Sequence, residues 1–177
     1  MDFKFNSDKA IAVLLYVCKQ LENVDLHKAF KIMFYADQKH LVAYGRPISG
    51  DIYIAMKDGP VPSNTFDIVK TVRGDSIWVT DEYKKFFSID GYMISCKMDP
   101  NLEDLSASDI ECLDISIKEN KGLTFQQLRK KSHGSAYKKA DWANRLLIDE
   151  IAKEGGANDE MLKYINAIAE NYSAFTK

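Results

Sequence analysis

Apolar residues recur at helical spacing near the start of the chain, where Ile11, Leu14, Leu15, Cys18 and Leu21 form a stripe widened by Ala10, Val13 and Val17. The pattern predicts a helix from Asp8 to Leu21 with Ser7 as its N-cap, apolar on most sides and therefore central. A second helix, capped by Asp25, aligns Leu26, Phe30, Met33, Phe34 and Leu41 on one face together with Asp37. It stops at Gly45, a residue suited to a left-handed C-cap. The period then changes from helical to alternating. Ile52, Ile54 and Met56 alternate with Tyr53, Ala55 and Lys57, which predicts a short strand, and Asp58-Gly59-Pro60 reverses the chain. The following proline holds Val61 extended, and Ser63 is placed to cap a third helix carrying Phe66, Val69 and Lys70 and ending near Gly74.

Strands are expected at Ile77-Trp78-Val79 and on either side of Asp90-Gly91, a dipeptide that signals a type I′ hairpin. Ser106 or Ser108 then caps a helix running to Gly122 with Ile110, Leu113 and Ile117 on its face. Thr124 opens a shorter helix ending near Ser132, and His133-Gly134-Ser135 breaks it. A longer helix over 136–153 carries Trp142, Leu146, Leu147 and Ile151, and a last one, capped near Asn158, carries Met161, Leu162, Ile165, Ile168 and Ala169. The elements describe an α+β fold: a mainly helical single domain over residues 1–177, with a small antiparallel sheet or hairpin inserted between two helical halves.

Composition agrees with this picture. The 177 residues are 46% hydrophobic and 11% aromatic, enough to fill one core. A formal net charge of -2 gives no overall attraction to nucleic acid or anionic membrane. No apolar run is long enough to span a bilayer and no secretory leader pattern opens the chain, so a cytoplasmic location is expected. The three cysteines, Cys18, Cys96 and Cys112, lie far apart without a CxxC or Cys/His cluster and read as reduced thiols.

Candidate chemistry is concentrated around the second helix and the segment after it. Asp37 and His40, three residues apart, share a side of the helix. They fit an acid/base pair, a small-ligand or enzymatic pocket shared with Arg46, or a buried carboxylate that finds its partner in His40, Arg46 or the backbone amides of the next loop. Arg46, stiffened by Gly45 and Pro47, is placed to form a bidentate pair with Asp51 or Asp37, or to anchor a partner. The run from Arg129 to Lys139 holds five basic residues and no acid in a helix-break-helix, which raises DNA contact as an alternative to a solvated helix face. Phosphate-loop, dinucleotide, HExxH and GxSxG patterns are all missing, so no cofactor, metal or catalytic residue is expected.

The order Phe34-Tyr35-Ala36-Asp37, His40, Tyr44-Gly45-Arg46-Pro47-Ile48-Ser49-Gly50-Asp51, Tyr53, Ala55-Met56-Lys57 and Gly59-Pro60-Val61-Pro62-Ser63 resembles the signature of the Panacea domain family. These are the SocA-like antitoxins, also met as phage-associated GepA-type proteins. The likeness continues more loosely through Leu105 to Asp109, Leu128, Ser132-His133 and Trp142. It implies a non-enzymatic bacterial or phage-borne protein that neutralises a cognate toxin by direct contact, in one member by delivering it to a protease. Carried over to this chain, the motif positions are Asp37, His40, Tyr44, Gly45, Arg46, Pro47, Gly50, Asp51, Met56, Lys57, Gly59, Pro60, Val61 and Pro62. Among them Arg46, Asp51 and Lys57 are the expected contacts to a partner protein, with glycines and prolines as scaffold.

Overall fold

A computed structural model describes residues 3–22, 24–76 and 80–174. The strand expected at Ile77 to Val79 lies outside the described residues. Helix α1 (Ser7–Leu21) is capped by Asn6, whose side chain accepts from the Lys9 amide, one residue before the expected Ser7. Helix α2 (Leu26–Tyr44) starts at Asp25, which accepts from the Lys28 amide at 2.8 Å, and ends at left-handed Gly45, as its sequence predicts. It is buried around almost its whole circumference. One cluster, with Leu14, Phe30, Ile32 and Leu113, fills the space between α2, α1 and α4 (Ala107–Asn120). A second cluster, with Phe34, Leu41, Leu146 and Ile165, lies toward α7 (Ile148–Glu154) and α8 (Asp159–Ala174). The result is the mainly helical α+β arrangement expected.

Among the described residues two small antiparallel sheets accompany the helices. In the first, β1 (Val24–Asp25), β5 (Met93–Cys96) and β4 (Phe87–Asp90) pair in the order β1-β5-β4. Asp90 faces Met93, so the two-residue turn is Gly91-Tyr92 rather than Asp90-Gly91. Residues Glu82–Lys85 form a 3-10 turn, where a strand was expected to begin. The second sheet is the hairpin of β2 (Tyr53–Met56) and β3 (Gly59–Pro62), closed by Lys57-Asp58. Pro60 and Pro62 take alternate positions in β3, leaving the amides of Gly59 and Val61 to pair with β2.

The long helix expected over 136–153 does not form. Helix α6 (Ser135–Lys138) is a single turn, and helix α7 starts at Ile148. Between them Asp141 Oδ1 accepts from the amides of Ala143 (2.8 Å) and Arg145 (2.9 Å), and Asn144 has a φ of 60°. The segment runs alongside β2, with Ala55 donating to the Asn144 carbonyl (2.7 Å) and Leu146 donating to that of Tyr53 (2.8 Å). Pairing with β2 thus outweighs helix propensity. Trp142, expected on a buried face, is 96% exposed.

Candidate functional site

The residues between α2 and the hairpin are held by three carboxylates, each buried and each gathering donors from a different part of the chain. Asp37, on the last half of α2, accepts from the Ile48 amide (2.6 Å) and the Tyr53 hydroxyl (2.7 Å). Of the partners the sequence offered, the loop amide is the one used, and Tyr53 completes the pair. Burial pushes the Asp37 carboxyl from its ordinary 3.8 up to about 6, against the two hydrogen bonds that favour its charge. Tyr53 in turn is pushed well above the usual phenol range by burial and by the adjacent carboxylate.

Asp51 caps a helix to which it does not belong. Helix α3 (Ser63–Arg73) has no side-chain cap of its own, and Ser63, the expected cap, makes no such bond. Asp51 supplies it from the loop: Oδ1 accepts from the amide and side chain of Asn64 (both 2.9 Å), and Oδ2 accepts from the amide (2.9 Å) and hydroxyl (2.6 Å) of Thr65. A carboxylate at this end is favoured by both the unpaired amides and the helix dipole. The expected pair between Arg46 and Asp51 or Asp37 is therefore absent, because both acids have other donors.

Arg46 instead meets Asp109, in the first turn of α4, at 3.1 Å. Lys9 Nζ reaches the same carboxylate at 2.7 Å and His40 Nε2 at 3.1 Å. Asp109 also accepts from the Ser106 amide in a capping box. Burial alone would raise the Asp109 carboxyl, but His40, Lys9 and Ser106 hold it below the ordinary carboxylate range. His40 is fully buried; its Nδ1 donates to the Arg46 carbonyl (2.8 Å) and its Nε2 lies 3.0 Å from the Ser108 hydroxyl. Asp37 and His40 are thus joined to different partners and closed off from solvent, and the acid/base pairing considered from their spacing is not formed.

Gly50 shows why the loop between these anchors is glycine-bearing. Its φ is 74°, and a Cβ there would fall on the Lys4 carbonyl. Pro47, Ile48 and Ser49 are buried beside it, and the Asn6 amide donates to the Ser49 carbonyl at 2.9 Å. The motif's acids and His40 are therefore turned inward. The part left outside is the hairpin tip, with Met56 44% exposed and the Lys57 ammonium projecting free of any partner among the described residues.

Apart from Lys4, Asn6 and Lys9, all these residues lie within residues 30–142, the stretch that matches the family model described as Antitoxin SocA-like, Panacea domain. The chain belongs to this family. Neither a curated protein nor a solved structure matches it at a significant level.

Within the Panacea domain the three carboxylates are scaffold. Asp51, expected to contact a partner, has its side chain committed to α3, and Arg46 is bonded to Asp109, the Ser106 hydroxyl (3.4 Å) and the Pro47 carbonyl (3.2 Å). Of the three expected contacts, Lys57 alone is free. Tyr44 is half-exposed, its hydroxyl donating to Glu111 at 2.8 Å, and Gly45 packs under the Tyr164 ring.

The hairpin tip is braced from beneath by the basic segment. Arg129 Nε donates to Asp58 at 3.0 Å, His133 Nε2 reaches the Lys57 carbonyl at 3.2 Å, and the Tyr137 hydroxyl donates to that of Met56 at 3.0 Å. Lys131 lies over the Tyr35 ring and donates to Asn120, and Lys139 pairs with Glu150. Three of the five cations considered for DNA contact are thus engaged within the fold. Sequence reasoning missed Asp109 as a hub. It also missed Lys31 of α2, 1% exposed, whose Nζ donates to the Pro60 carbonyl at 2.8 Å. Burial lowers the Lys31 ammonium from its ordinary 10.5 to about 8. Its signal was in view: a lysine inside the apolar run Ala29-Phe30-Lys31-Ile32-Met33-Phe34. Among the described residues no group of His, Cys, Asp and Glu can hold a metal ion, and no helix is long and apolar enough to cross a membrane.

Proposed function

We propose that this protein is an antitoxin that binds a cognate toxin directly and blocks it by occupancy, without catalysis, in the cytoplasm. The observation that carries the reading is the match over residues 30–142 to an antitoxin-like family. The geometry supports it. The family motif builds a clamp whose acids face inward and whose outward product is a braced hairpin tip bearing Met56 and Lys57. Holding such a tip in place before contact lowers the cost of binding, since ordering a side chain at an interface costs about 0.5–1.5 kcal/mol. In this reading Met56 and Lys57 are contact residues, while Asp37, His40, Arg46, Asp51 and the glycines and prolines position them.

The test is co-expression of the adjacent reading frame's product with and without this chain. The expected result is growth arrest by the neighbour alone, recovery with this chain present, and co-purification of the two. A neighbour that is harmless alone, or that stays toxic with no complex recovered, refutes the proposal.

A further inference from the structure

A pocket of about 310 Å³ opens between the hairpin tip, the start of α2 and the outer face of α3. Its apolar walls are Leu26, Phe30, Val61 and Phe66, with the rings of Phe30 and Phe66 edge to face at 5.8 Å. Its rim stands out from the surface: Met56 is 44% exposed and Tyr92 74%. His27, also at the rim, stacks on Phe125 with ring centroids 4.1 Å apart, and Phe125 is itself 45% exposed.

The charges around this pocket are unbalanced. Asp58, the one carboxylate in its lining, is held by Arg129, and Arg73 is paired with Asp75. The remaining lining cations make no ion pair among the described residues, although Asp58 and Asp25 act on Lys31 through space. Lys57 projects freely, and Lys31 at the base meets only the Pro60 carbonyl. Gly59 is what brings Lys31 so close: its φ is 106°, and a Cβ there would lie 2.7 Å from Lys31 Cε. A charge behind an apolar wall acts on a pocket more strongly than one in water. With Lys31, Lys57 and Arg73 in its lining against Asp58, the site is locally positive on a chain of net charge -2.

We propose that this pocket is where the partner toxin docks, and that the inserted segment carries an apolar side chain beside a carboxylate. The proposal rests on the antitoxin reading and specifies its surface. The apolar side chain fills the space between Phe30 and Phe66, while the carboxylate meets the field of Lys57 and Lys31. A protein segment fits better than a small molecule. The pocket is at the lower end of the size range of ligand sites, and its rim of Met and aromatic side chains is of the type enriched at protein interfaces and adaptable to them.

The experiment compares Met56→Glu/Lys57→Glu with wild type and with Ile115→Glu, an exposed position of α4 outside the pocket lining. Each is assayed for protection against the adjacent reading frame's product and for affinity to that product. The expected result is a loss of affinity of about 30-fold or more in the double variant, with protection lost, an unchanged fold by circular dichroism, and wild-type behaviour of Ile115→Glu. A photo-crosslinking residue at Met56 should capture a peptide of the toxin with Asp or Glu next to an apolar residue, and the same residue at Ile115 should capture none. If wild type protects but the double variant protects equally well, or the captured peptide is basic, the docking site is wrong and the antitoxin reading stands. If wild type itself neither protects nor binds, the antitoxin reading falls and this site with it.

Discussion

Asp37 and Asp109 are both buried carboxylates, yet they respond to pH with opposite sign. Asp37 is raised in the folded protein, so its contribution is full below the unfolded value of 3.8 and is lost as pH climbs through about 6. The loss amounts to about 3 kcal/mol. Asp37→Asn can keep both contacts, because the Tyr53 hydroxyl can turn from donor to acceptor. Urea denaturation should show wild type losing stability relative to Asp37→Asn between pH 4 and 7; parallel curves would contradict this. Asp109 is depressed, so its contribution is present above the ordinary carboxylate range and is lost as pH falls below it. Asp109→Asn should cost about 3 kcal/mol at pH 7, because it leaves Arg46 and Lys9 without their shared counter-charge. The two acids also differ in how far they were legible. The loop amide that satisfies Asp37 is 11 positions away in sequence and was among the partners foreseen. The acid that satisfies Arg46 lies 63 positions away on another helix, a distance at which spacing carries no information about contact.

At the level of elements, α3 and the segment between α6 and α7 show what local pattern can and cannot decide. The start of α3 was placed correctly, but the cap comes from Asp51 across the loop, so Ser63 was credited with another residue's part. Asp51→Ala should destabilise the protein by about 2 kcal/mol or more, the upper range for a lost cap, because the Thr65 amide and hydroxyl are buried with it. Hydrogen exchange should quicken first at the amides of Asn64 and Thr65; uniform quickening across the chain would argue against a local cap. Residues 139–147 contain a good helical pattern, but strand pairing to β2 competes for the same backbone groups and wins. Trp142→Ala should therefore change stability by less than about 0.5 kcal/mol, as for an exposed loop side chain, where a helix-core tryptophan would cost several times more.

On the scale of the whole molecule, α2 joins both halves, and among its buried titratable groups Lys31 and Asp37 are shifted by burial toward their neutral forms. Lys31 is lowered in the folded protein, so the unfolded chain holds the extra proton between about 8 and 10.5, and stability rises with pH across that window. With Asp37 acting from the acid side, these two groups jointly produce a trough between about pH 6 and 8. Wild type should be weakest there relative to Lys31→Met/Asp37→Asn, and a flat difference between the two stability profiles would disprove the assignment. The general architecture was readable because α2 and its neighbours repeat a helical period over many turns, whereas the hairpin's second strand was hidden by its prolines. Those prolines have a further effect. On the outer side of β2 the Ala55 amide and the Tyr53 carbonyl are taken by Asn144 and Leu146, and the outer edge of β3 lacks amide hydrogens at Pro60 and Pro62. With one edge covered by the segment around Asn144 and Leu146 and the other without donors at its prolines, this hairpin is guarded both against recognition by β-augmentation and against edge-to-edge aggregation, and its side chains remain for a partner to read.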